Sequence, residues 1–159
     1  MSDILVVFYS RTGKTRWVGQ RLAELLGADI EEILEKKDRS GAMGWLGSGR
    51  DAVMKKTSEI VSEHSVQGRK SILIGMPVWA FEPPPPIRTY VTKVDLAGKK
   101  LFGFCTFDGS GGEKTMASLA QLVPDGLVDS LCLKKPLAGD ANTEKLIRDW
   151  VAKIKPMIA

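Results

Sequence analysis

Apolar residues occur in two alternating arrangements along the chain, as short continuous runs and as stripes at helical spacing. The first run covers residues 4–9, and the stripe that follows it consists of Val18, Leu22, Leu25 and Leu26. Continuous runs are typical of parallel strands covered on both faces, whereas positions spaced i, i+4, i+7 and i+8 indicate one face of a helix. Glycine is frequent just past a helix end. We therefore predict a strand followed by a helix that stops at Gly27.

The same alternation continues to the end of the chain. Four more strands are predicted, at residues 28–34, 71–75, 101–105 and 127–133, with helix stripes at residues 87–91, 116–123 and 147–158. Acidic residues interrupt the strand at 28–34, which places it nearer an edge of the sheet. Asn142 or Thr143 is the expected cap of the last helix. Five strands alternating with helices predict a single α/β domain, residues 1–159, with helices on both faces of one parallel sheet.

The connection across residues 35–70 departs from this pattern because it is too long for a simple loop. It contains the apolar residues Met43, Trp45, Leu46, Val53 and Ile60. These positions predict an additional helix whose start, residues 41–49, is irregular because glycines interrupt it. Two placements of that start are open: packing on the sheet, or lying over a ligand.

Length and composition are those of an ordinary globular domain. The chain has 159 residues, of which 43% are hydrophobic and 26% charged, values that exclude a disordered chain. No apolar run approaches the roughly 18 residues that span a membrane. The first predicted strand begins directly after Asp3, so we expect no secretory signal and a cytoplasmic protein. Cys105 and Cys132 lie in apolar runs without metal-ligand spacing, and we expect both to be buried, reduced thiols.

The net charge is +4, from 23 basic and 19 acidic residues. The basic residues are scattered, and no arginine-rich run with interleaved aromatic residues indicates nucleic-acid binding. A solvated basic surface is the expected arrangement, and its field would attract an anionic substrate or an acidic partner. The one histidine, His64, lies in a polar stretch and is expected on the surface.

Three predicted loops leave strands at the same edge of the sheet. Ligands of such sheets bind beyond the carboxyl ends of the strands, where the winding reverses. The first loop, residues 9–15, places three hydroxyls and a glycine between a strand and a helix. Backbone N–H groups at a helix start are unpaired and favour an anion, so Ser10, Thr12 and Thr15 would add hydroxyl donors around a phosphate. A helix cap alone is the other interpretation of this turn.

The second and third loops have the composition of a ring-binding site. Residues 76–82 include Trp79 and Phe81, which either stack on a flat ring or fold back over the core under the prolines at 83–86. The proline run precedes a helix, which favours a rigid loop end over a polyproline ligand for a partner domain. Residues 106–112 are rich in glycine, so their backbone can approach a ligand closely. Together the three loops predict a site for a flat, phosphorylated molecule.

The motif Ser-x-Thr-Gly-x-Thr, directly after the first strand, resembles the phosphate loop of the flavodoxin family. The aromatic loop after the third strand and the glycine-rich loop after the fourth are similar to that family's two ring-binding loops. The resemblance implies a three-layer flavodoxin-like sandwich, a five-stranded parallel sheet in the order 2-1-3-4-5 and bound FMN. It implies no catalytic side chain and no metal.

Carried over position by position, the resemblance assigns the phosphate to Ser10, Thr12, Gly13 and Thr15. It implies that Trp79 stacks on the isoalloxazine, while Thr106, Gly109 and Gly111 line its other side and its polar edge. The complete set of cofactor-binding residues expected on this basis is Ser10, Arg11, Thr12, Gly13, Lys14, Thr15, Pro77, Val78, Trp79, Ala80, Phe81, Thr106, Phe107, Asp108, Gly109, Gly111 and Gly112.

Three features depart from the family's pattern. Lys14 stands where flavodoxins commonly have asparagine, so it either adds charge near the phosphate or points into water. Ala80 lies in a loop where flavodoxins often have a glycine whose peptide flips to bond ring nitrogen N5 in the one-electron-reduced state. A positive φ at Ala80 would cost roughly 1–2 kcal/mol and disfavour the semiquinone. The basic net charge should stabilise the fully reduced, anionic flavin and argues against a very-low-potential carrier.

The leading functional interpretation is an FMN-binding redox protein that carries electrons between a reductase and an acceptor, either a partner protein or a small quinone-like molecule. The first alternative is an NAD(P)H-dependent quinone or flavin reductase on the same fold, which needs room over the ring for a nicotinamide. The second alternative is a flavodoxin-like interaction module without a cofactor. The residues leave open whether the protein is a carrier or an FMN-dependent oxidoreductase.

Other functions associated with similar loops are excluded by single positions. A nucleotide P-loop ends in Gly-Lys-Thr, as residues 13–15 do, but its first glycine would fall at Phe8. A phosphorylated receiver domain needs a carboxylate at the end of the third strand, where residues 75–77 are Gly-Met-Pro. A cysteine phosphatase needs an arginine six residues after its cysteine. The residues six positions after Cys105 and Cys132 are Gly111 and Ala138.

Overall fold

The structure is a computed structural model that describes residues 1–35, 47–50, 59–61 and 65–158. In chain order its elements are β1 (Ile4–Phe8), α1 (Lys14–Leu26), β2 (Asp29–Glu32), β3 (Leu34–Glu35), β4 (Ile60–Val61), β5 (Ser71–Pro77), α2 (Pro85–Lys93), β6 (Lys100–Phe107), α3 (Gly112–Leu122), β7 (Asp129–Lys134) and α4 (Ala141–Ile154). A 3-10 turn, Lys155–Met157, follows α4 directly.

Five of the strands form one parallel sheet in the order β2-β1-β5-β6-β7. Numbered within this sheet alone, the order is 2-1-3-4-5, as predicted. In the middle of β1, Val6 lies opposite Ile30 of β2 on one side and Leu73 of β5 on the other. The winding reverses between β1 and β5, which opens a crevice at the carboxyl ends of these strands. β2 lies at an edge, as its acidic interruptions indicated.

Helices cover both faces of the sheet and give the molecule three layers. Leu5 and Val7 enter the core on the α2 and α3 side, whereas Val6 and Phe8 enter the core on the α1 and α4 side. Successive side chains of a strand point to opposite faces, so a strand buried on both faces must be apolar throughout. This two-sided burial explains the continuous apolar run of β1.

The end of α1 agrees with the sequence prediction, whereas the start of α4 does not. α1 ends at Gly27, which has a left-handed φ of 61°, as predicted. The cap of α4 is Asp140, whose carboxylate accepts a hydrogen bond from the backbone N–H of Thr143 at 2.9 Å. The expected caps, Asn142 and Thr143, are wrong because the helix begins at Ala141, and a cap residue satisfies the N–H three positions later.

The prolines at 83–86 are buried, and α2 begins at Pro85. The run leads directly into α2, as its predicted place before a helix indicated, and its last two prolines form the first positions of that helix. Cys105 is buried, but Cys132 is partly exposed because β7 is an edge strand, which corrects the expectation that both thiols are buried.

β3 and β4 form a separate two-stranded antiparallel sheet at the base of the long connection. Residues 41–46 of the predicted irregular helix start at 41–49 lie outside the described residues, and the described residues 47–50 are helical. Trp45 and His64 also lie outside the described residues. No helix in the described parts of the chain has the length and apolar character that a membrane crossing requires.

Candidate functional site

The carboxyl ends of β1, β5 and β6 lead into three loops that surround a cavity of about 550 Å³. Small-molecule and cofactor sites commonly occupy roughly 300–1,000 Å³. The first loop contributes Arg11, Thr12 and Lys14, the second Pro77, Val78, Trp79, Ala80 and Phe81, and the third Thr106, Phe107, Asp108, Gly109 and Ser110. Ser110 is the one lining residue absent from the predicted set, although it lies inside the predicted glycine-rich loop.

Five predicted residues lie behind the lining and shape the loops: Ser10, Gly13, Thr15, Gly111 and Gly112. The Ser10 hydroxyl accepts a hydrogen bond from the Gly13 N–H at 3.1 Å. The Thr15 hydroxyl is only 2.8 Å from the Thr106 hydroxyl, and Thr15 is buried. Of the three hydroxyls expected around a phosphate, Thr12 alone lines the cavity. Thr15 pairs with Thr106, and Ser10 accepts a hydrogen bond within the turn.

The first of these loops, residues 10–15, is called here the hydroxyl turn. Gly13 precedes α1 with a left-handed φ of 98°, a conformation that costs other residues roughly 1–2 kcal/mol. Because α1 begins at Lys14, its first N–H groups have no acceptor within the helix, and the helix dipole adds partial positive charge there. The turn therefore presents unpaired donors beside the cavity, an arrangement suited to an anion such as a phosphate.

Lys14 bridges two of the loops, since its Nζ lies 3.0 Å from Oδ1 of Asp108. Lys14 also lines the cavity, so its ammonium lies at the site, and its position relative to a bound phosphate stays a prediction. The two side chains are 46% and 71% exposed, so solvent and salt screen the pair and its contribution to stability is small. The bridge connects the hydroxyl turn to the glycine-rich loop across the cavity mouth.

The second loop contains a tight hairpin, residues 79–82, called here the aromatic turn. Glu82 donates its N–H to the carbonyl of Trp79 at 3.0 Å, and the reverse bond is 3.4 Å long. Ala80 and Phe81 between them have φ values of 51° and 66°. A two-residue hairpin of this type needs positive φ at both central positions, where glycine and asparagine are usual. Two non-glycine residues therefore hold a strained conformation at the cavity.

This geometry bears on the expectation for Ala80. The semiquinone was expected to be disfavoured if the peptide flip required a positive φ at this residue. Ala80 already has a φ of 51°, because the pairing of Trp79 with Glu82 requires it. The strain therefore belongs to the structure as it stands and does not by itself disfavour a reduced state.

The two aromatic residues of the second loop have different environments. Trp79 is only 6% exposed and packs edge-on against the ring of Tyr9, with ring centroids 5.4 Å apart and an interplanar angle of 89°. Phe81 is 44% exposed. Trp79 is thus folded onto the core while still lining the cavity, and Phe81 forms an outer wall. Stacking of Trp79 on a ring stays a prediction.

Phe81 is seated on the glycine-rich loop. A Cβ atom at Gly111 would lie 2.0 Å from Cδ1 of Phe81, far inside contact distance, and Gly111 has a left-handed φ of 101°. The ammonium of Lys114 lies 5.6 Å from the centroid of the same ring, within cation–π range. Gly111 therefore provides the space for a phenylalanine of the protein, where a close approach to a ligand was expected.

A buried ion pair holds the aromatic turn from behind. Nη2 of Arg88, on α2, lies 3.0 Å from Oε2 of Glu82, and the two side chains are only 9% and 17% exposed. Sequence reasoning missed this pair, because a loop residue and a helix residue six positions apart form no periodic pattern. A charged pair beside a proline run is the only signal that could have indicated it.

Comparisons with known proteins agree with this architecture. A family model described as flavodoxin matches residues 3–154. A protein of Bacteroides eggerthii DSM 20697, provisionally classed as a flavoprotein, is 25% identical, with 95% of this chain and 96% of that chain covered and a TM-score of 0.77. A similarly classed protein of Bacteroides uniformis ATCC 8492 is 23% identical, with 94% and 97% covered and a TM-score of 0.78.

A flavoprotein of Lactobacillus acidophilus NCFM, solved in complex with FMN, is also similar in structure. It is 19% identical, with 81% of this chain and 91% of that chain covered and a TM-score of 0.71. A search of curated protein sequences finds no significant match.

Proposed function

The chain belongs to the flavodoxin family, and from this premise we propose that it binds FMN between its three loops and carries electrons through the bound flavin. The supporting observation is the convergence of the hydroxyl turn, the aromatic turn and the glycine-rich loop on one cavity of about 550 Å³. This cavity lies at the carboxyl edge of the sheet, where the winding reverses and ligands of such sheets bind.

The hydroxyl turn would hold the phosphate end. Its donors are the first N–H groups of α1 and the hydroxyl of Thr12, and Gly13 provides the left-handed residue on which the turn depends. Ser10 and Thr15 keep the turn in shape through bonds within the protein. These donors fit a dianionic phosphate, because charge-assisted hydrogen bonds from backbone N–H groups need no neutralising arginine clamp.

The ring end would lie between the aromatic turn and the third loop. Trp79 offers an apolar wall that Tyr9 supports from behind, and Phe81 offers a second one that rests on Gly111. Phe107 and Gly109 of the third loop line the same cavity. When bound, FMN supplies the reversible uptake and release of electrons, while the protein orients it and excludes water.

A carrier role is supported by the chemistry of the lining. Histidine and cysteine are both missing from the described residues that surround the cavity, and its one carboxylate, Asp108, is paired with Lys14. Such a site would bind and orient a redox group, with no histidine or cysteine to take part in acid–base or nucleophilic chemistry. The electron acceptor would be a redox protein or a small quinone-like molecule, and the basic net charge of +4 favours an acidic or anionic one.

Ligand titration tests the binding proposal. We expect the flavin-free protein to bind FMN at least about 100-fold more tightly than riboflavin, which lacks the phosphate, since hydrogen bonds to charged groups contribute about 1.5–3 kcal/mol each. The G13A variant should weaken FMN binding with little effect on riboflavin. G139A is the matched control, because Gly139 also has a positive φ, at 82°, and has open space around its Cβ position. Equal affinities for FMN and riboflavin would contradict the phosphate assignment.

Anaerobic reduction separates the carrier from the reductase. For a carrier, the flavin absorption of the loaded protein should persist with NADH or NADPH alone and bleach only when a reductase protein is added. Rapid bleaching by a pyridine nucleotide followed by quinone reduction would instead assign a reductase. A protein that stays colourless after incubation with FMN would indicate an interaction module.

A further inference from the structure

Two thiols lie side by side at the edge of the sheet. Cys105 on β6 and Cys132 on β7 are direct partners in the register of the two parallel strands. Directly opposed residues point to the same face, and neighbouring strands are about 4.8 Å apart, inside the range of Cα separations that disulfides span. Both side chains pack in the same core cluster, on the α3 side of the sheet.

The two thiols differ in accessibility. Cys105 is buried, whereas Cys132 is partly exposed. Both lie against Gly112, the first residue of α3. The Cys105 sulfur is 3.8 Å from the Gly112 carbonyl oxygen, and the Cys132 Cβ is 3.1 Å from the position a Cβ would take at Gly112. The Gly112 carbonyl oxygen accepts from the Cys105 thiol, which favours the protonated form of Cys105.

The pKa values of the two thiols shift in opposite directions. A hydrogen bond with Cys105 lowers the pKa of Cys132, although burial and the nearby Glu113 carboxylate act in the opposite direction. The same hydrogen bond raises the pKa of Cys105, and burial raises it further. The Cys105 thiol donates a hydrogen bond to the Gly112 carbonyl oxygen at 3.8 Å. The pKa of the accessible Cys132 is thus lowered and that of the buried Cys105 raised, which favours Cys132 as the cysteine on which a thiolate would form.

We propose that Cys105 and Cys132 form a reversible dithiol/disulfide pair that reacts with hydroperoxides through Cys132. The thiolate of Cys132 attacks a peroxide oxygen, forming an S–O bond and breaking the O–O bond. The leaving oxygen takes up a proton and departs as water or an alcohol. The Cys105 sulfur then attacks the sulfenic sulfur, forming the S–S bond and releasing water with the Cys105 proton. The dithiol gives two electrons to the peroxide.

Neither cysteine lines the cavity, and the reaction needs no bound cofactor. The sequence indicates two unrelated cysteines 27 positions apart, because their spacing matches no known redox or metal motif. Their adjacency is created by the pairing of β6 with β7. A bond between opposed residues of paired strands is conformationally constrained, and constrained disulfides are the readily reduced ones.

The test uses the full chain, first reduced and then treated with hydrogen peroxide at increasing ratios. We expect the free thiols counted after denaturation to fall from two to none, with a mass loss of two hydrogen atoms. The protein should stay monomeric on a non-reducing gel, and dithiothreitol should restore both thiols. An accessible thiolate should be oxidised by about a tenfold excess of peroxide. Retention of both thiols under this excess would overturn the proposal. A disulfide between chains would overturn it as well.

Two variants assign the individual roles. Oxidation of C105A should stop at a sulfenic acid on Cys132, which dimedone traps as an adduct. The wild type should give no dimedone adduct after complete oxidation. C132S should lower the rate of thiol loss by at least about tenfold, because the remaining thiol is buried and protonated. Circular dichroism confirms that each variant is folded. Equal rates in C132S and the wild type would contradict attack by Cys132, and a wild-type dimedone adduct that persists would contradict resolution by Cys105.

Discussion

The hydroxyl turn and the aromatic turn line the same cavity, but different kinds of residue and contact stabilise their conformations. In the hydroxyl turn the left-handed residue is Gly13, and the supporting hydrogen bond comes from Ser10, three positions earlier. In the aromatic turn the left-handed residues are Ala80 and Phe81, and the support comes from Arg88 on a helix. The hydroxyl turn takes its left-handed glycine and one hydrogen bond from its own sequence, although Thr15 also bonds Thr106. The aromatic turn places two non-glycine residues in the left-handed conformation and has its side-chain support from a helix.

The difference shows where strain is tolerated at a binding site. Two consecutive non-glycine residues with positive φ cost roughly 1–2 kcal/mol each. Such strain persists only where surrounding contacts over-determine the conformation. The buried pair of Glu82 with Arg88 and the seat for Phe81 at Gly111 are those contacts. Removing them should affect the aromatic turn and leave the hydroxyl turn intact.

Breaking the buried pair should have the largest effect. R88M keeps the length of the side chain and leaves the Glu82 carboxylate buried without its partner. We expect a loss of about 3–5 kcal/mol in the free energy of unfolding, measured by urea denaturation. K145M is the control, since Lys145 pairs with Asp149 at 73% and 61% exposure, and it should cost less than about 1 kcal/mol. Equal losses in the two variants would show that the pair does not hold the turn.

Filling the seat of Phe81 should have the next largest effect. G111A combines a positive-φ penalty with a Cβ atom only 2.0 Å from the Phe81 ring. The expected loss is about 3 kcal/mol, from roughly 1–2 for the conformation and at least 1 for the overlap. In an F81A background only the conformational part should remain. The measurement is a double-mutant cycle by chemical denaturation, with G98A, at a φ of 73° and in open space, as the control. Additive effects would contradict the seating of Phe81 on Gly111.

Exchanging residue types between the turns should change stability in opposite directions. A80G removes roughly 1–2 kcal/mol of strain but adds about 0.4–1 kcal/mol of unfolded-chain entropy, so a gain of about 0.5–1 kcal/mol is expected. G13A should lose about 1 kcal/mol for the converse reason, because Gly13 has a φ of 98°. Thermal unfolding of both variants checks the signs. A loss in A80G would mean that the turn does not strain its backbone.

The exposed bridge between the loops should matter least. K14M removes the ammonium that meets Asp108, and both partners are well exposed. We expect the free energy of unfolding to change by less than about 1 kcal/mol, with a smaller difference at 1 M salt than at low salt. Denaturation at two salt concentrations provides the measurement, and K70M, at the exposed Lys70–Asp3 pair, is its matched control. A loss of several kcal/mol in K14M alone would make the bridge a structural element of the site.

Much of the fold and of the site could be predicted because it depends on local patterns. The continuous apolar run of β1 requires burial on both faces, and the helical stripe before Gly27 indicates one helix that packs on the sheet. The loops after β1, β5 and β6 must lie at one edge because the strands are parallel. The cap of α4 was missed for a local reason, since Asp140 is as good a cap as its neighbours and only the helix start decides between them.

By itself the sequence determined the alternation of strands and helices and the edge of the sheet at which the three loops lie, because both follow from the period of apolar residues. Only the tertiary structure decided that Trp79 is buried while Phe81 is exposed, that Ala80 takes a left-handed conformation, and that Cys105 meets Cys132. Strand register and packing set these features, since they bring together residues whose spacing along the chain has no period. Contacts of that kind have no signature in a single sequence.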